Sequence, residues 1–330
     1  VTTVQAAYID RLGGPETIRY GRLPAPVPGP GEVLVHVRAT TVNHVDTFVR
    51  AGLFRTALTF PFVIGRDLAG TVVATGAETT GFRPGQPVWC NSMGHDGRSG
   101  AAAELVAVPA DRLYPLPDGV SPDDAVAVAH PAATAYLALF THGGLRANEV
   151  VVIVGGAGNV GSAMVTMAAE AGARVVTTAS TADIGYCREI GAADVLDYRD
   201  PGLAGRLGAA CPDGAALYVD PAGVNDLETA VGLLAPGGRI VLLAGARSRP
   251  VLPVGPLYQR DCAIRGFVIS HATTAELAEA AGEVGRLLAA GVLRSRRIDP
   301  LPLSAAADAH RMVEAGLTRG RRLVLRSPAG

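Results

Sequence analysis

Apolar positions along the chain fall into two regimes. Through roughly the first 120 residues they alternate with polar ones in short stretches, as in Glu32–Ala39 (EVLVHVRA) and Gly70–Ala74 (GTVVA). Turn signals crowd between them: Pro28-Gly29-Pro30-Gly31, Pro84-Gly85 and Pro117-Asp118-Gly119. A period of two, broken by Gly and Pro, predicts an antiparallel β-domain of short strands. From about Ser121 the pattern changes, and Val/Ile-rich runs alternate with Ala-rich helical stretches. The runs predict strands at Val150–Val154, Arg174–Thr178, Val195–Asp197, Ala216–Asp220, Arg239–Ala244 and Ala263–Ile269. Between them, helices are expected over Ser162–Ala171, Thr181–Ile190 and Asn225–Leu234. Such alternation implies βαβ units and a parallel sheet covered on both faces. Beyond His271 the pattern predicts a helix over Ala275–Ala290, a strand-like Ile298–Leu303, another helix and a last strand Arg321–Arg326.

Composition narrows the function classes. The 330 residues are 48% hydrophobic and 18% charged, which suits a buried core rather than disorder. Twenty-nine basic against thirty acidic side chains leave a net charge of -1. That excludes a broad electrostatic grip on nucleic acid, and no block of like charges suggests a membrane patch. Every basic residue is Arg, because the chain has no lysine; a Schiff-base or Lys-nucleophile mechanism is therefore excluded. Mean hydropathy is +0.27, yet no apolar run reaches the roughly 18 residues of a membrane span. No basic stretch followed by an apolar one stands at the N-terminus, so a secretory signal is not expected. Cys90, Cys187, Cys211 and Cys262 are far apart and never form a CxxC pair. Neither a disulfide scaffold nor a cysteine-cluster metal site is expected, and a reduced, cytoplasmic protein follows.

The most specific local chemistry stands after the strand at 150. Val150–Val154 runs into Gly155-Gly156-Ala157-Gly158-Asn159-Val160-Gly161 and then into an Ala-rich helix. Gly156, Gly158 and Gly161 satisfy G-x-G-x-x-G in the strand–turn–helix setting of a dinucleotide site. Gly156 is expected to allow the tight turn and Gly161 close helix–strand packing. Gly158 would let the backbone N–H groups near Asn159 and Val160 approach a pyrophosphate at the helix N-terminus. An NAD-selective site carries Asp or Glu about 20 residues after the first glycine, for the ribose 2′-OH. Here the chain reads Val176-Thr177-Thr178-Ala179-Ser180-Thr181, with no acid until Asp183. Ser180 and Thr181 offer hydroxyl donors instead, so NADP(H) is the expected cofactor; Ser180 could also cap the next helix.

Further segments follow in order: Ala39-Thr40-Thr41-Val42-Asn43-His44-Val45-Asp46-Thr47-Phe48-Val49-Arg50, Ile64-Gly65-Arg66-Asp67-Leu68-Ala69-Gly70, Thr134-Ala135-Tyr136 and Leu234-Ala235-Pro236-Gly237-Gly238-Arg239. With the Gly-rich turn, they resemble the zinc-independent quinone oxidoreductase (zeta-crystallin-like) branch of the medium-chain dehydrogenase/reductase superfamily, nearly end to end. The resemblance implies an α/β fold. A GroES-like β-rich catalytic domain would come from residues 1–124 and 271–330, and a Rossmann doubly wound parallel sheet from 125–270, with a cleft for the nicotinamide.

The resemblance also implies that Asn43 and Asp46 stand beside the nicotinamide ring, with Thr134 near its carboxamide or the pyrophosphate. Zinc-dependent relatives have Cys where Asn43 stands and His-Glu where Arg66-Asp67 stands. Arg cannot ligate zinc and Asn is a poor substitute for thiolate. A structural zinc would need four closely spaced cysteines where only Cys90 lies, so a metal-free protein is expected. Related reductases often carry a Tyr near the hydride site, at the positions held here by Phe48 and Phe54. Phe can shape and dry a pocket but cannot donate a proton. His44, His95, His130 and Arg66 remain as candidates for acid or electrophile, and Asn91 is a further expected pocket residue. Asp46 is expected to pair with Arg50 or Arg66. Tyr198 matches a Tyr that packs by the 2′-phosphate in relatives; the Lys they place nearby falls at about Ile184, leaving Arg188 or Arg199 to supply the charge. Arg322, in Arg321-Arg322, stands where a basic residue near the cofactor is common, and Ala244 is expected to line the cofactor site.

The expected activity is hydride transfer from NADPH to a quinone or other conjugated carbonyl, with Asn43 or Arg66 donating to the developing oxyanion. An enoyl or enone reductase tailoring a secondary metabolite and a non-catalytic, crystallin-like NADPH-binding protein are the alternatives. The expected partners are a small-molecule substrate and a second copy of the chain, with no nucleic acid and no membrane. A homodimer would form through the edge strand Ala263–Ile269, since an uncovered edge otherwise invites uncontrolled pairing.

Overall fold

In a computed structural model that describes residues 2–328, the alternating N-terminal sequence becomes short strands and one helix. These are β1 (Thr3–Ile9), β2 (Ile18–Pro24), β3 (Glu32–Thr41), α1 (His44–Ala51), β4 (Phe62–Val63), β5 (Leu68–Thr75), β6 (Pro87–Cys90), β7 (Leu105–Pro109) and β8 (Tyr114–Pro115). α1 is an addition to the all-strand expectation for this region. β3 organises the unit: it pairs antiparallel with β5 and with β7. Its alternating Val33, Val35, Val37 and Ala39 are fully buried, as the period of two requires. β1 lies between β2 and β4 in a separate three-stranded sheet. 

The chain continues through α2 (Pro122–Tyr136), a π-helical turn at Leu137–His142, β9 (Val150–Ile153), α3 (Asn159–Glu170) and β10 (Arg174–Ala179). Then come α4 (Ile184–Glu189), β11 (Asp194–Asp197), α5 (Leu203–Ala210), β12 (Ala215–Asp220), α6 (Leu227–Leu233), β13 (Leu234–Leu242), α7 (Val254–Tyr258), β14 (Ala263–Gly266) and α8 (Thr274–Ala289). The six strands form one sheet in the order β11-β10-β9-β12-β13-β14, parallel throughout. That is the 3-2-1-4-5-6 order of a doubly wound fold, with its switch point between β9 and β12. Val151, Val152, Ile153, Val175, Val176, Val219 and Val241 are all fully buried. Helices on both faces explain why these strands read as apolar runs rather than alternations. Arg239 staples β13 to the segment before β9: Nη2 donates to Gly144 O (2.6 Å) and to Glu149 Oε2 (2.8 Å).

The last elements are β15 (Ile298–Pro302), α9 (Ala306–Glu314) and β16 (Arg322–Arg326). β16 pairs antiparallel with β3, Val324 opposite Thr41, and parallel with β15. The described residues thus divide into two compact units, one within Val1–His130 together with Leu277–Gly330, the other Pro131–Glu276. Each has its own core, with Val35, Leu68 and Leu323 in the first and Val152, Tyr218 and Ile240 in the second.

Elements of the second unit also differ from expectation. The strand expected over Ala263–Ile269 ends at Gly266 and Ile269–His271 forms a 3-10 turn, because Gly266 already faces Leu242, the last residue of β13. The helix expected from Ser162 begins at Asn159, so Gly161 lies in its first turn. The helix expected over Thr181–Ile190 is a 3-10 turn followed by α4.

Candidate functional site

In the second unit the Gly-rich turn links β9 to α3. Gly155 takes a left-handed conformation, φ +74, so the tight turn rests on Gly155 rather than on Gly156. Gly155 N–H is held by Thr178 Oγ1 (3.0 Å) and Gly156 N–H by Thr178 O (2.9 Å). Gly156 is needed for space, because a Cβ there would stand 2.3 Å from Thr177 Oγ1. At Gly161 a Cβ would fall 2.1 Å from Gly155 O; only glycine lets the first helical turn close on the strand. Gly158 differs, since a Cβ there would meet nothing nearer than Gly155 O at 3.4 Å. Its lack of a side chain answers no demand of the fold and leaves the backbone open to an outside group. Gly158 is the N-cap of α3, so the N–H groups of Asn159, Val160 and Gly161 have no acceptor within the helix. This cradle fits a pyrophosphate by donor chemistry and by space.

At the end of β10, Ser180 Oγ donates to Asp183 Oδ2 (2.7 Å) and Thr181 Oγ1 donates to Asp197 Oδ2. Tyr198 is exposed, and Arg199 lies over its ring at 5.1 Å while donating from Nη2 to its hydroxyl (3.1 Å). Ala244 follows β13 and its carbonyl accepts from Asn225 Nδ2 (3.0 Å). Thr134 is buried on α2.

The first unit holds a buried ionic cluster. Asn43 is the N-cap of α1, and Asp46 Oδ2 accepts from its backbone N–H (2.7 Å), one arm of a capping box. Asn43 Nδ2 donates to Asp67 Oδ2 (2.9 Å), and Asn43 Oδ1 accepts from Arg322 Nη2 (2.8 Å). Arg322 Nη2 also donates to Thr41 Oγ1 (3.2 Å), whose own proton goes to Leu323 O (2.7 Å). Arg66 Nε stands 4.0 Å from Asp46 Oδ1, and His130 Nδ1 stands 3.9 Å from Asp67 Oδ1. Arg50, the other partner expected for Asp46, reaches Glu314 instead. Asp67 is fully buried and Arg66 is 2% exposed.

This packing shifts the titrating groups. Burial pushes the Asp67 carboxyl up to about 8, aided by the neighbouring charge of Asp46 and opposed by the Asn43 hydrogen bond, Arg322 and Arg66. Burial raises Asp46 to about 6 against the pull of Arg66. His130 is driven down to about 3 by burial and by the Arg66 charge, so its imidazole is neutral. Burial also lowers Arg66 and Arg322, but guanidinium is basic enough to stay charged.

The remaining expected pocket residues divide. Phe54 is half-buried, its ring 5.7 Å from that of His95 and 5.9 Å from the Arg66 guanidinium. Asn91 is buried and donates from Nδ2 to Ala129 O (3.4 Å). His44 and Phe48 lie one turn apart on the exposed face of α1; burial and the Arg322 charge lower the His44 pKa. Asp67, at the centre of the cluster, was not among the expected site residues, although its place in Gly65-Arg66-Asp67-Leu68-Ala69-Gly70 marks it. Among the described residues no group of three or more His, Cys, Asp or Glu could hold a metal ion. Where the resemblance places zinc ligands, the side chains are the Asn43 amide, the Arg66 guanidinium and the Asp67 carboxyl, and a guanidinium cannot ligate zinc.

Residues 29–118 match the family described as "Alcohol dehydrogenase GroES-like domain", and residues 159–284 match "Zinc-binding dehydrogenase". The quinone oxidoreductase of Pseudomonas aeruginosa is 32% identical over 95% of this chain and 97% of its own. A structure described as an NAD-dependent alcohol dehydrogenase superposes with a TM-score of 0.87 at 29% identity, over 99% of this chain and all (100%) of the other. A mycobacterial protein solved with NADPH superposes with a TM-score of 0.80 at 29% identity, covering 98% and 99%.

Two outcomes follow from this geometry. Gly161→Ala should lower thermal stability, whereas Gly158→Ala should leave the melting temperature unchanged and weaken nicotinamide dinucleotide binding about tenfold by calorimetry. Asp67 holds its proton in the folded chain well above its ordinary 3.8, so the native state binds more protons than the unfolded one and stability falls as pH rises toward 8. In Asp67→Asn the part of that fall lying above about pH 6 should vanish, read from urea midpoints across the range.

Proposed function

The chain belongs to the medium-chain dehydrogenase/reductase superfamily, in its quinone oxidoreductase branch, and from that premise we propose that it is an NADPH-dependent, metal-independent reductase of quinones or other conjugated carbonyl compounds. That it is an NAD(P)-dependent oxidoreductase follows from the family; the preference for NADPH, the freedom from zinc and the acceptor are the proposal. The observation that carries it is Arg66. This guanidinium is buried, and its Nε and Nη2 have no hydrogen-bond partner among the described residues. Donors left unused in a buried charged group are expensive, and an oxygen that gains negative charge is the partner they lack.

The Gly156–Gly161 turn and the α3 N-terminus would hold the cofactor pyrophosphate. Tyr198 and Arg199 would receive the 2′-phosphate, and Ser180 and Thr181 would have to turn their hydroxyl protons to it from Asp183 and Asp197, since hydroxyls and a guanidinium suit a phosphate. When bound, the nicotinamide supplies hydride. Arg66 and Asn43 donate to the acceptor oxygen as charge develops there. Asp46 holds the Asn43 backbone in place through the helix cap. Neither Phe48 nor Phe54 can give a proton, which favours a quinone: its ring takes up the charge and solvent can protonate the product.

A homodimer through β14 belongs to the same reading. Among the described residues this strand pairs with β13 alone, at one end of the sheet, and Val254 and Tyr258 of the adjacent α7 are 58% and 66% exposed. Light scattering should return about twice the chain mass, and a monomer would remove this part of the reading.

Oxidation of NADPH by a simple para-quinone, followed by absorbance, should proceed unchanged under a strong chelator and faster than with NADH. Arg66→Met and Asn43→Ala should each lower kcat about a hundredfold. Turnover that stops under chelator, or survives both substitutions, would sink the assignment.

A further inference from the structure

Two sheets of the first unit diverge beside β7. β1 is bridged to the chain just ahead of β7 by Ala6 opposite Ala103 and by the Glu104 N–H donating to Gln5 O (2.9 Å). Past that point β1 stays with β2 as far as Thr3, opposite Pro24, while β7 stays with β3 as far as Pro109, opposite Glu32. Each strand follows its own sheet, and among the described residues no backbone hydrogen bond joins the two again. The gap between them is a cavity of about 440 Å³, a volume that suits a small molecule. Its third wall is the segment from Met93 to Gly100. Gly94 N–H donates to Ser99 O (3.0 Å) and Arg98 N–H to His95 O (3.2 Å), which curls this segment into a closed loop. Gly100 N–H donates to Val63 O (2.9 Å), and a Cβ at Gly100 would stand 2.1 Å from that oxygen. Only glycine lets the loop close on β4.

The chemistry of the cavity is uneven. Val4, Leu23, Val63 and Met93 give it apolar walls, and Pro24, Pro26, Pro61 and Pro109 offer it no N–H. Two charged residues stand among the lining, Glu32 and Arg98. Glu32 Oε2 is taken by the Gly29 N–H (2.8 Å). Arg98 gives Nε to Ser92 O (3.3 Å), and among the described residues its Nη1 and Nη2 meet no acceptor. Arg112 adds to the imbalance: its Nη1 donates to Ser92 Oγ (3.3 Å), so two guanidiniums converge on one serine. Burial lowers the Arg98 pKa and the Arg112 charge lowers it further, against the pull of Asp96. With Nε committed, the Nη1–Nη2 end of the fork remains, and that end matches the two oxygens of one carboxylate. None of Asn43, Asp46, Arg66 and Asp67 lines this cavity.

We propose that the cavity is a second binding site, separate from the Asn43 cluster, for a carboxylic acid with a compact apolar body, its carboxylate on the Arg98 guanidinium and its body between β1 and β7. This goes beyond the reductase reading and does not depend on it.

Calorimetry on the whole chain at neutral pH, with sodium octanoate as the probe, tests it. Octanoate should bind once per chain, and octanol, with the same body and no charge, about tenfold more weakly. Arg98→Gln should weaken octanoate about tenfold and leave octanol unchanged. Ala107→Met, which puts a longer side chain into the cavity from β7, should weaken both probes about tenfold. Arg66→Met should bind octanoate as the unsubstituted chain does. Absence of binding, equal affinity for the two probes, or octanoate affinity unchanged in either Arg98→Gln or Ala107→Met would each overturn the inference. So would loss of octanoate binding in Arg66→Met, which would put the carboxylate at the Asn43 cluster. Should Arg98→Gln fail to fold, the octanol comparison and Ala107→Met, at a partly exposed position, decide the matter.

Discussion

A carboxyl with no exposure at all, next to a second buried carboxylate, is the constraint on which the first unit turns. Asp67 can be buried beside Asp46 only because an amide and two guanidiniums close around the pair. Their closure requires three stretches of chain far apart in sequence: the end of β3 with Asn43, the approach to β5 with Arg66 and Asp67, and β16 with Arg322. Removing one member leaves an uncompensated buried charge. The C-terminal strand is therefore not an ornament on an N-terminal domain. It delivers a charge without which the N-terminal residues could not stay where they are. Such a cluster adds little net stability compared with apolar side chains of equal volume, so its retention in the interior points to chemistry.

The parallel sheet was legible in the sequence because the alternation that builds it is a local pattern: apolar runs, Ala-rich helices between them, and one Gly-rich turn. The first unit was harder, for physical reasons that can be named. α1 is eight residues inside a β-rich stretch, too short to impose a period of its own; Asn43 followed by Asp46 was the capping signal that would have shown it. Asp67 stood in a quoted motif but drew attention only as the place of an absent ligand. The resemblance put Arg322 near the cofactor, but its contacts with Thr41 and Asn43 depend on the register of β16 against β3, which no local pattern encodes. The glycine turn shows the same limit at smaller scale. The pattern names three glycines, yet the left-handed residue is Gly155, one position earlier.

The choice of arginine throughout is more than a matter of composition. A buried lysine gives up its proton readily, whereas a guanidinium keeps its charge at low dielectric. With no lysine in the chain, each buried cation is permanent. Arg66 and Arg322 can therefore act as fixed positive charges in a way that a titrating group could not. They fill the electrostatic part of a metal's role without open coordination positions, which limits what they can do: orient and stabilise charge, but not activate a water.

The charge balance of the cluster then follows. Two guanidiniums face two carboxyls, and His130 is neutral. With Asp67 protonated below about 8, the site carries a net positive charge whenever Asp46 is ionised. A neutral carbonyl compound entering such a site gains little, since its oxygen bears only a partial charge. The same oxygen after hydride arrives carries a full one. An excess of buried positive charge held before the substrate comes thus favours the later state over the earlier, which is the condition for lowering a barrier rather than tightening a complex. Raising the carboxyl of Asp67 by burial is in this sense what leaves the guanidiniums unspent.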